Sequence, residues 1–285
     1  MSIVYLNGQF LPIEQATIPV LDRGFIYGDG VYELIPVYRR RPYRVTEHLA
    51  RLQYSLDRIR LANPHTDAEW RDIVAGVIER QSFDDQGVYF QVTRGVAKRD
   101  HTFPKGVPAT VFMMSNPLAT PSAEVVANGV ACVTAIDERW MNCDIKSISL
   151  LGNVLMRQLA ADQDAVEAVM FRNGFLTEAS ASNVLIVKDG TIIAPPKDRM
   201  ILPGITYGAL WDLAQEGGLP FEMRPVTAAE VWTADELWLS SSTKEVIAIV
   251  TLDGQPVGHA SHRGKPGPLL RRMHELFQAS KQRLA

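Results

Sequence analysis

Cys143-Asp144-Ile145-Lys146-Ser147 is the stretch around which this chain is organised. An apolar run at 130–136 before it predicts a strand, and an amphipathic segment at 150–161 after it predicts a helix. A lysine in a sheltered turn at a strand end loses its proton more easily than a solvated lysine, because desolvation disfavours the ammonium form. The neutral amine can attack an aldehyde and form a Schiff base. The alternative is a surface lysine, and residues elsewhere in the chain decide between the two.

Length, charge and cysteine usage exclude several classes of protein. At 285 residues the chain is long for one hydrophobic core, so two domains are expected. A net charge of -3 argues against a nucleic-acid-binding surface, and no apolar run is long enough to cross a bilayer. Residues 1–8 contain no basic region before an apolar core, so no secretory signal is expected. Cys132 and Cys143 form no C-x-x-C pair, and we expect reduced thiols in a cytoplasmic protein.

The N-terminal half predicts a smaller α/β domain over residues 1–116, followed by a linker at 117–122 that contains two prolines. Asn7-Gly8 between two short apolar runs predicts a β-hairpin, because both residues tolerate positive φ. Leucines spaced by three and four residues predict a helix over 46–61. A second helix is predicted over 67–80, with Asp67 as its N-cap.

The C-terminal half predicts a larger α/β domain over residues 123–285, in which strands and helices alternate. A helix over 205–216 is ended by Gly217-Gly218. Thr227-Ala228-Ala229-Glu230 is typical of a capping box before a short helix. We therefore predict two mixed α/β domains, with a ligand cleft between them.

Glu178 is a candidate partner for a basic ring. It lies among small polar residues in Thr177-Glu178-Ala179-Ser180-Ala181-Ser182-Asn183, just before a predicted strand. A carboxylate beside a pyridine nitrogen favours the protonated ring, which is an electron sink for a carbanion. The alternative is a loop glutamate surrounded by serines that form turn hydrogen bonds.

Three further groups are suited to binding a phosphate. Leu202-Pro203-Gly204-Ile205-Thr206 opens a helix, whose first backbone N–H groups and Thr206 hydroxyl can hold an anion. Ser240-Ser241-Ser242-Thr243 follows a strand and adds hydroxyl donors, and Arg51 can supply the compensating charge. Each signal alone is common, since glycine often precedes helices and serine runs usually form turns.

Taken together, these motifs resemble the fold-type IV pyridoxal-phosphate enzymes. Arg-Gly-Phe-x-x-Gly-Asp-Gly-Val-Tyr-Glu at 23–33 completes the set, and the resemblance covers nearly the whole chain with its motifs in the right order. The family includes branched-chain aminotransferases, D-amino acid aminotransferases and aminodeoxychorismate lyase. The resemblance implies a mixed α/β (α+β), two-domain fold with pyridoxal 5′-phosphate in the interdomain cleft.

The resemblance also implies a role for each matching residue. Lys146 would form the Schiff base and then move a proton between the substrate Cα and the cofactor. Glu178 would pair with the pyridine nitrogen, and Leu202 would pack against the ring. Arg139 and Ser182 would contact the cofactor-binding residues and not the cofactor itself, and Arg139 would lie near Glu178. The phosphate would be held by five residues, one of them through its backbone N–H: Arg51, Ile205, Thr206, Ser241 and Ser242.

Within the family, the likeness is strongest to the D-amino acid aminotransferases, because Tyr32, Arg99 and His101 match the residues that hold the substrate α-carboxylate there. A guanidinium can grip a carboxylate with two parallel hydrogen bonds. The implied reaction transfers an amino group from a D-amino acid, such as D-alanine or D-glutamate, to 2-oxoglutarate or pyruvate. Family members are homodimers, in which the loop that carries Arg99 and His101 reaches the active site of the neighbouring subunit. This chain has Ala181 at the position where the D-specific relatives have a serine. Lys98, which adds a positive charge next to Arg99, could favour acidic substrates.

Other readings remain open. A branched-chain L-aminotransferase would not need Arg99 and His101, an (R)-amine transaminase would accept substrates without a carboxylate, and an aminodeoxychorismate lyase would release pyruvate. A non-catalytic pyridoxal-phosphate-binding protein is a further class. No metal site is expected, because His259 and His262 have no carboxylate or cysteine ligands nearby in the sequence. Neither a dinucleotide fingerprint nor a G-x-S-x-G elbow is present.

Overall fold

A computed structural model describes residues 2–284 of the chain, which fall into two compact units. Unit 1 contains the chain up to Ala119 together with Ile145–Leu150, and unit 2 contains the remainder. The first crossing between the units lies inside the segment predicted as a linker. The lysine segment differs from the prediction, which placed it in the C-terminal domain: it clusters with unit 1.

Unit 1 is an antiparallel sheet with helices packed against it. In the described residues the strand order is β2-β1-β6-β5-β3-β4. Its strands are β1 Ile3–Leu6, β2 Gln9–Pro12, β3 Gly30–Tyr38, β4 Arg41–Pro42, β5 Gln86–Thr93 and β6 Thr110–Pro117. Its helices are α1 Arg23–Tyr27, α2 Val45–Arg58 and α3 Asp67–Glu79, with a short 3-10 helix at Ile13–Gln15. The core between sheet and helices is built from side chains such as Leu52, Leu56, Trp70 and Phe90.

Local sequence explains much of unit 1. The predicted hairpin at Asn7-Gly8 is confirmed, with φ of 47° and 94° at the two residues between β1 and β2. The predicted N-cap Asp67 is wrong, because Asp67 is already helical. Thr66 caps α3 instead, and Glu69 completes a capping box with it. Thr66 satisfies a backbone N–H that the first turn leaves without an intrahelical partner.

Unit 2 is built on a larger mixed sheet. In the described residues its order is β12-β11-β10-β13-β14-β7-β8-β9, and β15 pairs with β14. The strands are β7 Val130–Ile136, β8 Glu167–Arg172, β9 Phe175–Ala179, β10 Asn183–Lys188, β11 Thr191–Ala194, β12 Phe221–Met223, β13 Glu236–Ser241, β14 Glu245–Leu252 and β15 Gln255–Pro256. The helices are α4 Ala123–Asn128, α5 Leu151–Ala161, α6 Ile205–Glu216, α7 Ala228–Trp232 and α8 Pro268–Gln282.

Several sequence predictions for unit 2 are confirmed. The predicted helix over 205–216 coincides with α6, and Thr227 and Glu230 form the capping box of α7. Glu178 is not a loop glutamate, the alternative left open by the sequence, because residues 175–179 form β9 and pair with β8. Between residues 2 and 284, none of the helices has the length and apolar character needed to span a membrane.

Candidate active site

Lys146 is held by the edge of β3 in unit 1. Its backbone carbonyl accepts a hydrogen bond from Tyr32 N–H at 2.9 Å, and its own N–H donates to the Ser55 hydroxyl at 3.2 Å. Ile145, the preceding residue, is buried in the core of unit 1. Lys146 is half-buried, and its amine lies 4.0 Å from the centroid of the Tyr32 ring. The structure therefore brings together the predicted Schiff-base lysine and one predicted carboxylate-binding residue.

Arg51, predicted to bind phosphate, forms a buried ion pair with Glu33. Its Nε donates to Glu33 Oε1 at 2.7 Å and Nη2 donates to Oε2 at 2.9 Å. His48 is fully buried, and its Nδ1 lies 2.7 Å from the same carboxylate. Burial opposes ionisation of Glu33, but the Arg51 charge and these hydrogen bonds outweigh burial and lower the pKa of Glu33 to about 2. Glu33 thus fixes the direction in which the Arg51 guanidinium points.

Glu178 in unit 2 is a buried carboxylate at the end of β9. Its Oε1 accepts from Arg139 Nη1 at 2.6 Å, and Oε2 accepts from Leu202 N–H at 3.1 Å and Asn183 Nδ2 at 3.2 Å. Burial raises the pKa of Glu178 to about 7, and Arg139 only partly opposes this rise. A carboxylate with such a pKa gains strongly from a second positive charge placed beside it.

Arg139 is itself positioned by a second carboxylate. Its Nε and Nη2 donate to the two oxygens of Asp137, both at 2.9 Å. Asp137 also accepts from the Thr177 hydroxyl at 2.8 Å and forms an ion pair with the Arg172 guanidinium at 3.1 Å. The guanidinium of Arg139 is therefore shared between Asp137 and Glu178, near the latter as the resemblance implied.

The predicted phosphate-binding helix start is connected to Glu178 through Asn183. Asn183 Nδ2 donates to the Leu202 carbonyl at 2.9 Å as well as to Glu178. A side chain at Gly204, the N-cap of α6, would overlap Asn183 Oδ1 and would displace the Asn183 side chain from its present position. Gly204 has no side chain that could cap the helix. The backbone N–H groups of Ile205 and Thr206, which open α6, therefore receive no capping hydrogen bond from it. Thr206 is buried at this helix start.

The serine cluster lies at the end of β13 and in the turn that leads to β14. Ser240 is buried, and its hydroxyl has no hydrogen-bond partner among the described residues. Ser241 Oγ accepts from Lys244 N–H at 3.1 Å, and both Ser241 and Ser242 are partly exposed. The hydroxyl groups of these serines therefore lie at the end of β13, where the chain leaves the sheet.

Glu167 joins this turn to the segment that follows Glu178. Its carboxylate accepts from the Ser180 and Ser182 hydroxyls at 2.5 and 2.7 Å and from Ala181 N–H at 2.7 Å. The Lys244 amine forms an ion pair with the same Glu167 carboxylate at 2.7 Å. The Ser182 hydroxyl proton is therefore directed to Glu167.

Lys244→Met is expected to destabilise the protein by about 2 kcal/mol, because it leaves the fully buried Glu167 without its cation. Urea denaturation at neutral pH measures the change in the free energy of unfolding. The matched control is Lys188→Met, whose amine donates to the carbonyl of Thr233 at an exposed position. Equal losses in the two variants would contradict the importance of the Glu167–Lys244 pair.

Arg99 and His101 are exposed on the segment between β5 and β6. Neither makes a ring contact or hydrogen bond with Tyr32 in the part of the chain that the structure describes; both rest on Tyr27 instead. Within one chain, therefore, the predicted carboxylate-binding residues fall into two groups: Tyr32 lies beside Lys146, and Arg99 and His101 lie beside Tyr27.

Comparison with known proteins identifies the family. The model of the family described as amino-transferase class IV matches residues 30–252. The chain belongs to the class IV aminotransferases. It is 37% identical to the D-alanine aminotransferase of Bacillus licheniformis and 36% identical to that of Staphylococcus haemolyticus. These alignments cover 97% of this chain and 96% and 97% of the relatives, respectively.

Solved structures show the same fold. The branched-chain amino acid aminotransferase of Escherichia coli superposes with a TM-score of 0.90 at 24% identity, covering 98% of this chain and 94% of that one. Such identity supports the fold alone. The predicted mixed α/β fold and the predicted family are both confirmed. This class IV aminotransferase is a transaminase that uses pyridoxal phosphate.

The residues of unit 2 suit that cofactor. Glu178 is a buried acid that a protonated pyridine nitrogen would stabilise in its ionised form. No side chain caps the N-terminus of α6 at Gly204, which suits a phosphate, and the buried hydroxyl of Ser240 has no partner in residues 2–284. No cluster of three or more metal-ligating side chains occurs in the same residues. These groups would suit an organic phosphate attached to a basic ring.

Three important residues were missed from the sequence: Asn183, Asp137 and Glu167. Asn183 lies at the end of the motif around Glu178, so its proximity to that carboxylate was the available signal. Asp137 is 41 positions from Glu178, and its role depends on Arg139 turning toward both carboxylates. Glu167 reaches Lys244 across the sheet. Such pairings leave no periodic pattern in a single sequence.

Proposed function

We propose that this aminotransferase transfers the amino group of a D-amino acid to a 2-oxo acid, with Lys146 as the residue that carries the cofactor. The observation that carries the D-specific proposal is the identity of 36–37% with proteins named D-alanine aminotransferase over nearly the full length of both chains. The position of the Lys146 amine beside the Tyr32 ring supports it. D-alanine and D-glutamate are the expected donors, and pyruvate and 2-oxoglutarate the expected acceptors.

When bound, pyridoxal phosphate supplies an aldehyde that takes up the amino group and a ring that withdraws electrons from the substrate Cα. Lys146 would hold the aldehyde until the substrate amine replaces it. Its released amine would then remove the Cα proton and return a proton during the second half of the transfer. Ser55 and Tyr32 fix the backbone of Lys146, so its amine would approach Cα from one face.

Glu178 would keep the ring nitrogen protonated, and Arg139 would hold the carboxylate in place. Ile205, Thr206, Ser241 and Ser242 would bind the phosphate with backbone N–H and hydroxyl donors, and Leu202 would pack against the ring. Arg51 would add a charge to the phosphate site from a guanidinium already oriented by Glu33.

Substrate selection would depend on Tyr32, Arg99 and His101. Holding the α-carboxylate on one side while Lys146 works from one face allows only one enantiomer to present its Cα–H to the amine. Because Arg99 and His101 rest on Tyr27 within their own chain, we propose that they serve the site of a second copy. Lys98, which is exposed beside them, would favour acidic substrates.

A homodimer is the proposed assembly. On α5, Leu151, Val154 and Leu155 each expose more than half of their surface. Adjacent apolar side chains exposed to this extent are typical of an interface with another chain. A cytoplasmic location is proposed as well, in keeping with the two buried free thiols of Cys132 and Cys143.

A half-reaction tests the substrate class. The purified enzyme is mixed separately with D-alanine, D-glutamate, L-leucine and (R)-1-phenylethylamine, without an oxo acid, and the absorbance of the bound cofactor is followed. Conversion is expected to be fastest with the two D-amino acids. Faster conversion with L-leucine would favour a branched-chain enzyme, and faster conversion with the amine would favour an amine transaminase. Release of pyruvate from aminodeoxychorismate would identify a lyase.

A further inference from the structure

The segment that carries Arg99 and His101 rests on one aromatic ring, that of Tyr27. The guanidinium carbon of Arg99 lies 5.5 Å from the ring centroid. The imidazole of His101 lies 5.4 Å from the same centroid at an interplanar angle of 43°. In residues 2–284 neither side chain makes a hydrogen bond, so the Tyr27 ring is the surface that restrains both.

Tyr27 is itself fixed by its neighbours in unit 1. It is the last residue of α1, which Gly28 ends with a φ of 65°. Arg23, which is 3% exposed, places its guanidinium carbon 4.8 Å from the Tyr27 centroid. Asp29 accepts from Arg23 Nε at 2.7 Å and keeps that guanidinium in place. The ring therefore offers a fixed face to the segment above it.

The backbone of the same segment is anchored at Arg23. Arg23 Nη1 donates to the carbonyl of Asp100 at 2.5 Å, midway between the two side chains on the ring. Arg23 N–H donates to the carbonyl of Gly95 at 2.9 Å, and Ala97 N–H donates to that of Leu21 at 3.2 Å. With its backbone held, the orientation of the Arg99 and His101 side chains depends on the ring.

We propose that Tyr27 is a positioning residue that orients Arg99 and His101 for binding the substrate carboxylate. An aromatic face attracts a guanidinium and stacks on an imidazole while leaving the N–H groups at their edges available. The ring does this without its hydroxyl, which is buried and has no hydrogen-bond partner in the described part of the chain. What the oriented pair binds rests on the proposed function; the restraint of the segment does not.

The consequence is specific to substrate binding. A guanidinium that is already oriented loses less side-chain freedom when it grips a carboxylate than a mobile one does. Removing the aromatic face should therefore raise KM for a D-amino acid, while kcat, which depends on Lys146 and Glu178, stays within about twofold of the original enzyme.

The test compares Tyr27→Leu with Tyr27→Phe in the holoenzyme. Tyr27→Leu is expected to raise KM for D-alanine about tenfold, the loss expected for two contacts of this type, and Tyr27→Phe to leave it within about twofold. The second readout is limited trypsin digestion, with cleavage after Arg99 identified by mass. We expect cleavage about fivefold faster in Tyr27→Leu than in Tyr27→Phe, because the segment is released.

The outcomes are separable. If the original enzyme does not convert D-alanine, the proposed function fails, and the cleavage rates still test the restraint. Equal cleavage rates in the two variants would overturn the restraint, and faster cleavage with an unchanged KM would overturn the role in binding. A KM raised equally in Tyr27→Phe would assign the effect to the hydroxyl and overturn the proposal. Tyr27→Met serves the same comparison if the leucine variant does not fold.

Discussion

Replacing Lys146 with alanine is expected to lower kcat by about 10⁴-fold or more, because in the proposed mechanism one side chain supplies both the covalent attachment and the proton transfer. Only the amine of Lys146 would act in the proposed reaction, since its backbone carbonyl and N–H are hydrogen-bonded to Tyr32 and Ser55. Steady-state turnover of D-alanine with 2-oxoglutarate measures the loss. The absorbance of the covalently attached cofactor should disappear in the same variant.

Two control variants distinguish the loss of the covalent attachment to the cofactor from the loss of a charged side chain. Lys146→Arg keeps a positive charge beside the Tyr32 ring but cannot form the covalent bond, so its kcat should fall as far as that of the alanine variant. Lys188→Ala removes an amine whose bond is to the carbonyl of Thr233, and it should turn over normally. Turnover retained by Lys146→Arg would contradict a covalent role for the lysine.

Replacing Glu178 with glutamine is expected to lower kcat by about 10²–10³-fold, because a neutral amide cannot hold a proton on the ring nitrogen. The change preserves shape, so the loss reports charge rather than packing. Glu222→Gln, at an exposed glutamate on β12 paired with Arg224, is the matched control and should retain activity. A Glu178→Gln enzyme with normal kcat would remove this carboxylate from the mechanism.

The same substitution has an effect on stability that is independent of turnover. Burial raises the pKa of Glu178 from 4.5 to about 7 in the folded chain. The folded state therefore binds an extra proton between these values, and the stability of the cofactor-free protein should decline by about 3 kcal/mol as pH rises from 4.5 to 7. Thermal melts across this range should show a smaller decline in Glu178→Gln.

Loading the cofactor should reduce the same decline. A protonated ring nitrogen beside Glu178 stabilises the carboxylate and lowers its pKa toward the unfolded value. Melts of the loaded and cofactor-free protein, recorded at the same pH values, provide the comparison. An equally steep decline in both forms would mean that the bound ring nitrogen does not face Glu178.

Helices and turns whose conformation depends on residues close together in the chain were predicted well from the sequence. The bounds of α6 follow from its apolar spacing and the glycines after it, and the capping box of α7 follows from four consecutive residues. The hairpin at Asn7-Gly8 follows from two residues that accept positive φ. By contrast, no strand was predicted over residues 175–179, because the strand conformation of β9 depends on pairing with β8.

The sequence by itself determined the family and the candidate residues, since the motifs around Lys146 and Glu178 are short and read in order along the chain. Only the tertiary structure decided their partners: Arg51 with Glu33, Glu178 with Arg139, and the Lys146 segment with unit 1. Tyr27 meets Arg99 from 72 positions away. Local conformation is governed by neighbours along the chain, whereas buried charges take whichever partner the folded backbone brings within hydrogen-bonding distance.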